Sequence, residues 1–174
     1  NALGTLNVLE TIREYKKNII AIFITSDKVY DNVEWAWGYR ETDKIGGKDP
    51  YSASKGMAEL VIKSYINTYS HNSNIIIGIA RAGNVIGGGD WSSDRIVPDA
   101  IRAFIENKPL LVRNPKAVRP WQHVLEPLSG YLVLCQQLYN NHNNYSEAWN
   151  FGPNDENAKP VSFLVDIMVN MWGN

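Results

Sequence analysis

Apolar and polar positions alternate along this chain in two rhythms, one of helical spacing and one of short unbroken apolar runs. Residues 1–16 read as a helix. The run Ile19 to Ile24 follows it without a polar break and reads as a strand buried on both faces, over 19–25. Residues 27–48 form a long irregular connection with Trp35, Trp37, Gly38, Gly46 and Gly47. Asp49-Pro50 then signals a helix start, because the carboxylate can cap free N–H groups and proline suits the first helical position. That helix is expected to run to about Tyr69 and to pack through Ala58, Leu60, Val61, Ile62 and Tyr65.

Ile75 to Ala80 reads as a second buried strand, and Gly87-Gly88-Gly89-Asp90 breaks the chain. A helix is expected from about Arg95 to Asn107, a short strand at Leu110-Leu111-Val112, and a helix from about Val124 to Tyr139. Asn140-Asn141-His142-Asn143-Asn144 reads as a polar surface loop, Ala148 to Phe151 as a strand and 161–172 as a last helix. Alternation of this kind argues for an α/β fold with a parallel sheet. A shift in composition divides the chain at residue 87, and the second part reads as less regular and substrate-facing.

Composition narrows the class. The chain has 174 residues, 44% of them hydrophobic, which is enough for one sizeable core. A formal net charge of -1 gives no reason to expect nucleic acid or an acidic membrane as partner. No apolar run has transmembrane length, and no signal peptide is visible. The sole cysteine, Cys135, lies in the apolar string Tyr131-Leu132-Val133-Leu134-Cys135 and reads as a reduced core residue. With no internal disulfide possible, a cytoplasmic location is expected. The chain starts without Met, already inside a helix, and no Gly-x-Gly-x-x-Gly follows a strand. It therefore reads as the middle of a larger enzyme.

Two strings carry chemistry: Thr25-Ser26-Asp27-Lys28 at the end of the first strand, and Tyr51-Ser52-Ala53-Ser54-Lys55 in the helix after the long connection. Tyr51 and Lys55 are four residues apart, on one helix face. A phenol is a poor base at neutral pH, and a nearby ammonium favours its ionised form. Alone, Tyr-x-x-x-Lys describes equally well a packed tyrosine beside a surface lysine. Ser26 can hydrogen-bond a reacting hydroxyl or simply satisfy backbone at a strand end. Asp27 can act as a general acid, pair with Lys28 or cap the loop. Lys28 holds charge as an ammonium and becomes a base only when burial depresses its pKa. Together these are the groups that hydride transfer at a sugar alcohol needs, at the strand edge where open α/β sheets bind ligands.

Thr25-Ser26-Asp27-Lys28-Val29-Tyr30, the Tyr51 to Lys55 string and Arg81-Ala82-Gly83-Asn84-Val85-Ile86-Gly87 resemble the extended short-chain dehydrogenase/reductases that act on nucleotide sugars, the NAD-dependent epimerase/dehydratase family. Further strings are similar to its cytidine-linked 4,6-dehydratase branch: Trp37-Gly38-Tyr39-Arg40-Glu41, Gly87-Gly88-Gly89-Asp90-Trp91, the long stretch from Arg119-Pro120-Trp121-Gln122-His123 to Tyr131, and Trp149-Asn150-Phe151-Gly152-Pro153. The resemblance covers nearly the whole chain in the family's order. It implies a Rossmann-like parallel sheet with helices on both faces. Residues 1–86 would be the C-terminal part of the NAD-binding domain. Residues 87–174 would be a partial substrate-binding region with returning Rossmann elements. The glycine-rich N-terminal half would lie outside the chain, leaving these residues inactive alone.

The resemblance also implies NAD as cofactor, CDP-glucose as substrate, a homodimer packed through the 1–16 helix and the Tyr51 helix, and a place in deoxysugar and lipopolysaccharide synthesis. Tyr51 would take the proton of the sugar 4-hydroxyl, Ser26 would orient that hydroxyl, and Lys55 would also bind the nicotinamide ribose. Asp27 would protonate the departing 6-hydroxyl. Most sugar-nucleotide 4,6-dehydratases carry Glu, the usual C5 base, where this chain has Lys28; the cytidine-linked branch is similar to this chain in having Lys. Asn84 and Arg119 match substrate-contacting positions, with Arg95 and Arg113 as further pyrophosphate ligands. His123 is expected to order its loop, Gly87 to Gly89 to form a flexible turn at the rim of the substrate site, and Asn1 to hold a structural position. Other readings are an epimerase or dehydratase acting on a dTDP-, GDP- or UDP-sugar, or a relative that binds nucleotide sugars without catalysis.

Overall fold

The computed structural model describes residues 1–15, 17–70 and 74–173, and of residues 142 and 143 the backbone alone. It divides into two compact units, residues 1–83 with 126–151, and residues 84–125 with 152–174.

In the first unit, helix α1 (Ala2–Glu14) leads to strand β1 (Ile19–Ile24). The expected helix over 1–16 ends slightly earlier, and residue 16 lies outside the described residues. Helix α2 (Pro50–Tyr69) starts where Asp49-Pro50 predicts: the Asp49 carboxylate accepts from the Ser52 N–H and proline fills the first turn. Strand β2 (Ile75–Ala82) runs two residues further than expected. Helix α4 (Leu125–Asn141) and strand β6 (Ala148–Phe151) complete the unit. Between them, the expected Asn-rich loop is instead the last turn of α4 followed by a 3-10 turn at His142–Tyr145.

The three strands form a parallel sheet in the order β1-β2-β6, with Ile19 beside Ile75 and Ile79 beside Ala148. Alternate residues of the central strand β2 serve opposite faces. Ile75, Ile77 and Ile79 join Leu9 of α1 and Ile62 and Ile66 of α2 in one core. Ile76 and Ala80 join Leu134 and Leu138 of α4 in the other. Each fully buried isoleucine of this kind contributes about 1.5–3 kcal/mol of transfer free energy. Leu60 points away from this core and is exposed, contrary to expectation, while Val61 and Tyr65 pack against it. Cys135 is a free thiol and only partly buried, so it is not the core residue its apolar neighbours predict.

The second unit contains α3 (Ile96–Ile105), α5 (Val161–Trp172) and four short strands. Strands β3 (Val85–Ile86) and β5 (Gln122–His123) pair in parallel, and β4 (Val118–Pro120) and β7 (Ala158–Pro160) pair antiparallel. No strand forms at Leu110–Val112: the segment finds no partner, and Leu111 is exposed. The rings of Phe104 and Trp172 bring α3 and α5 together at 5.5 Å. Gly87 sits where a Cβ would meet Val124 Cγ1 at 2.7 Å, so its lack of a side chain permits the β3–β5 approach. Gly89, in the turn that follows, has φ +81°, a left-handed conformation glycine adopts without strain.

Candidate active site

The site is built at the C-terminal end of β1. Thr25 continues the ladder, its N–H bonded to Ala80 O at 2.8 Å. Ser26 then caps a 3-10 turn, Asp27–Val29. The Ser26 hydroxyl accepts from the Lys28 N–H at 3.2 Å and donates to Asp27 Oδ1 at 3.0 Å. Thr25 and Ser26 are buried, Asp27 is partly exposed and Lys28 is exposed.

Helix α2 carries Tyr51 and Lys55 on one face, and Lys55 reaches the same strand end. Tyr51 is 51% exposed, in the first helical turn. The Lys55 ammonium donates to Ile24 O at 3.5 Å, two residues before Ser26. The connection after the turn lies against this helix: Tyr30 bridges Ile45, and a Cβ on Gly47 would meet Ala53 N at 2.4 Å. The absence of a side chain at Gly47 therefore lets the loop touch the backbone that carries Tyr51. Asn1 donates to Ser54 Oγ at 2.8 Å, tying the start of α1 to the Tyr51 to Lys55 turn.

Beneath these groups lies a buried ion pair that sequence reasoning did not single out. Arg81 of β2 is 1% exposed and the Glu59 side chain is 0% exposed. Arg81 Nε donates to Glu59 Oε2 at 2.9 Å, and its Nη2 to Oε1. Lys63 approaches Oε1 at 3.2 Å, and Thr25 Oγ1 donates to Oε2 at 3.1 Å. Burial pushes the Glu59 carboxyl up, but hydrogen bonds and charge from Arg81 and Lys63 outweigh it and hold it below its ordinary value. Arg81 Nη1 also donates to Tyr30 Oη at 2.5 Å and to Glu41 O at 3.1 Å. Tyr30 Oη passes a hydrogen bond to Asn150 Oδ1 at 2.7 Å, and its ring stacks on Tyr39 at 4.9 Å. One signal was available: Arg81 interrupts an otherwise apolar strand, and a cation there requires a partner.

The four residues expected to meet the substrate, Asn84, Arg95, Arg113 and Arg119, lie in the second unit. Asn84 is partly buried, and its carbonyl accepts from the Gln122 N–H at 3.0 Å. Arg95 and Arg113 are exposed and lie 3.5 Å from Asp90 and 3.4 Å from Asp94. Arg119 donates to Val118 O at 2.8 Å. The His123 imidazole accepts from the Leu125 N–H at 3.3 Å, at the start of α4. Among the described residues no group of three or more His, Cys, Asp or Glu is placed to hold a metal ion, and no helix is long and apolar enough to cross a membrane.

Lys55 and the 25–28 segment therefore meet at one edge of a parallel sheet, with Tyr51 one helical turn before Lys55 on α2. The family model for the NAD dependent epimerase/dehydratase family matches residues 1–152. The chain belongs to that family. A relative from Salmonella typhimurium, CDP-glucose 4,6-dehydratase, is 53% identical over 100% of this chain and 50% of its own length. CDP-paratose 2-epimerase of Salmonella typhi, a further family-like relative, is 29% identical over 76% of this chain and 45% of its own length. The fold agrees: a crystal structure of dTDP-glucose 4,6-dehydratase from Bacillus anthracis in complex with NAD superposes with a TM-score of 0.81 at 22% identity, covering 99% of this chain and 52% of the other. The chain thus spans about half the length of the curated relatives it matches.

Proposed function

We propose that these residues belong to an NAD-dependent lyase that dehydrates CDP-glucose to CDP-4-keto-6-deoxyglucose. The observation that carries this reading is 53% identity over the whole chain to a CDP-glucose 4,6-dehydratase. The local geometry supports it: the Ser26 hydroxyl, the Asp27 carboxylate and the Lys55 ammonium lie at the end of β1, and Tyr51 stands one turn before Lys55 on α2. NAD would be held at that edge by the half-exposed Tyr51 phenol and the Lys55 ammonium, both donors suited to the nicotinamide ribose. Bound NAD supplies a hydride acceptor at C4 and a hydride donor at C6.

The chain's own groups do the rest. Ser26 holds the 4-hydroxyl and Tyr51 takes its proton, aided by the Lys55 charge. A ketone at C4 acidifies the C5 proton. Asp27 gives a proton to the 6-hydroxyl as it leaves as water, and Lys28 follows it at the position where most sugar-nucleotide 4,6-dehydratases carry the Glu that removes the C5 proton. Asn84, Arg95, Arg113 and Arg119 supply donors for the nucleotide pyrophosphate, guanidinium forks being suited to phosphate oxygens. Residues 1–86 are the C-terminal part of the NAD-binding domain, and 87–174 combine substrate-binding segments with the returning elements α4 and β6. We further propose a cytoplasmic homodimer in deoxysugar and lipopolysaccharide synthesis, packed through α1 and α2, which expose Leu3, Val8, Met57 and Leu60.

The test is to give the whole protein that carries these residues NAD and glucose linked to CDP, dTDP, UDP or GDP, and to look by mass spectrometry for a product one water lighter. Water loss from the CDP sugar alone is expected. Loss from another nucleotide sugar overturns the substrate, and conversion without water loss turns the reading to an epimerase. Asp27→Asn is expected to abolish water loss while reduction of NAD, followed by absorbance, remains measurable; elimination at the wild-type rate would remove Asp27 from the acid role.

A further inference from the structure

The turn that carries Asp27 and Lys28 is held at both ends by the same buried pair. Immediately before it, Thr25 Oγ1 donates to Glu59 Oε2 at 3.1 Å. Immediately after it, Tyr30 Oη accepts from Arg81 Nη1 at 2.5 Å, and the Arg81 guanidinium carbon lies 4.8 Å from the Tyr30 ring centroid. Glu59 and Arg81 are bonded to each other through two donors. Glu59 also follows Lys55 by four residues and Tyr51 by eight, so all three lie along one face of α2. We propose that Glu59 and Arg81 are positioning residues: by gripping the turn through Thr25 and Tyr30, they fix Asp27 and Lys28 relative to Tyr51 and Lys55. The group that takes the 4-hydroxyl proton and the group that releases water are thereby set on a common frame. Arg81 extends that frame to Glu41 O, and Tyr30 extends it to Asn150 on β6.

Arrangement of this kind matters because displacing a reacting group by about 1 Å costs on the order of a hundredfold in rate. The consequence for turnover rests on the dehydratase reading above; the grip itself does not. Removing Glu59 or Arg81 leaves a buried charge and risks the fold, so the test releases the two ends instead. In the whole protein, Thr25→Val removes the hydroxyl without changing shape, Thr25→Ser keeps it, and Tyr30→Phe removes only the phenol oxygen. Amide hydrogen exchange of residues 26–30 is read beside kcat and KM for CDP-glucose.

Thr25→Val and Tyr30→Phe are expected to speed exchange of that segment by about tenfold or more, since each loses a hydrogen bond to a charged group. They are expected to lower kcat about ten- to a hundredfold, with KM within about twofold. Thr25→Ser returns both readouts to wild type. Unchanged exchange in both releasing variants overturns the grip, whatever the enzyme does to sugar nucleotides. Faster exchange with wild-type kcat overturns the positioning role. Faster exchange in a protein whose wild type dehydrates none of the four sugar nucleotides upholds the grip and removes only the assigned reaction.

Discussion

Burying Arg81 and Glu59 strips both ions of water, a cost offset only because the carboxylate and guanidinium meet through two donors and Thr25, Lys63 and Tyr30 occupy further positions. Breaking such a pair from one side is far worse than never having had it. Glu59→Ala should cost about 3–5 kcal/mol of stability in urea unfolding, because Arg81 stays buried without its partner. The pH dependence has a definite sign. Glu59 is depressed below its ordinary 4.5, so its contribution is complete above that value and is lost as pH falls through the lower folded value. Acid should therefore lower the urea midpoint of the wild type more than that of Glu59→Gln, when both are titrated below about pH 4.5. The places of Ser26 and Asp27 at a strand end and of Tyr51 and Lys55 on one helix face were legible in the sequence, because strand ends and helical spacing are local properties. Glu59 was not: a glutamate between Lys55 and Lys63 on a helix is ordinarily a solvated residue, and only tertiary structure buries it.

Long elements with a strong period were readable, and short ones were not. The start of α2 followed from Asp49-Pro50, since capping is a local property. Strands β3, β4, β5 and β7 have two or three residues each and exist only through their partners. Leu110–Val112 is the converse, an apolar triplet with strand character that finds no ladder. Packing between elements is equally invisible in one sequence. Gly130 of α4 lies where a Cβ would come within 2.3 Å of the Phe151 ring on β6, which stacks edge-on to Tyr131. Gly130→Ala should destabilise the fold by about 1–3 kcal/mol by forcing α4 off the sheet, read as a lower urea midpoint with unchanged slope. At the edge of the apolar α1–α2 contact of Leu9 with Ile62 and Ile66, Tyr65 donates to Glu10, which raises the phenol to about 12. A raised phenol stabilises below its ordinary 10 and stops doing so as pH passes its folded value. That hydrogen bond should thus persist through neutral pH and be lost only in strong alkali, followed by tyrosinate absorbance.

For the molecule as a whole, alternation of helix and strand was enough to read a parallel sheet, and β1-β2-β6 is one. The return of α4 and β6 to the first unit was not legible in spacing, because nothing local to Leu125–Phe151 says which sheet they join. The double anchoring of the turn has a consequence for how such proteins diversify. Its ends, Thr25 and Tyr30, are committed to the core, whereas Lys28 at its centre is exposed, held by its backbone N–H to Ser26 Oγ and interacting with Asp49 through charge. Position 28 is therefore an exchangeable part: the chemistry it offers can be rewritten while the mounting stays in place. Lys28→Glu should melt close to the wild type, lowered only by the like charge it brings beside Asp49, while changing the group the turn offers a ligand.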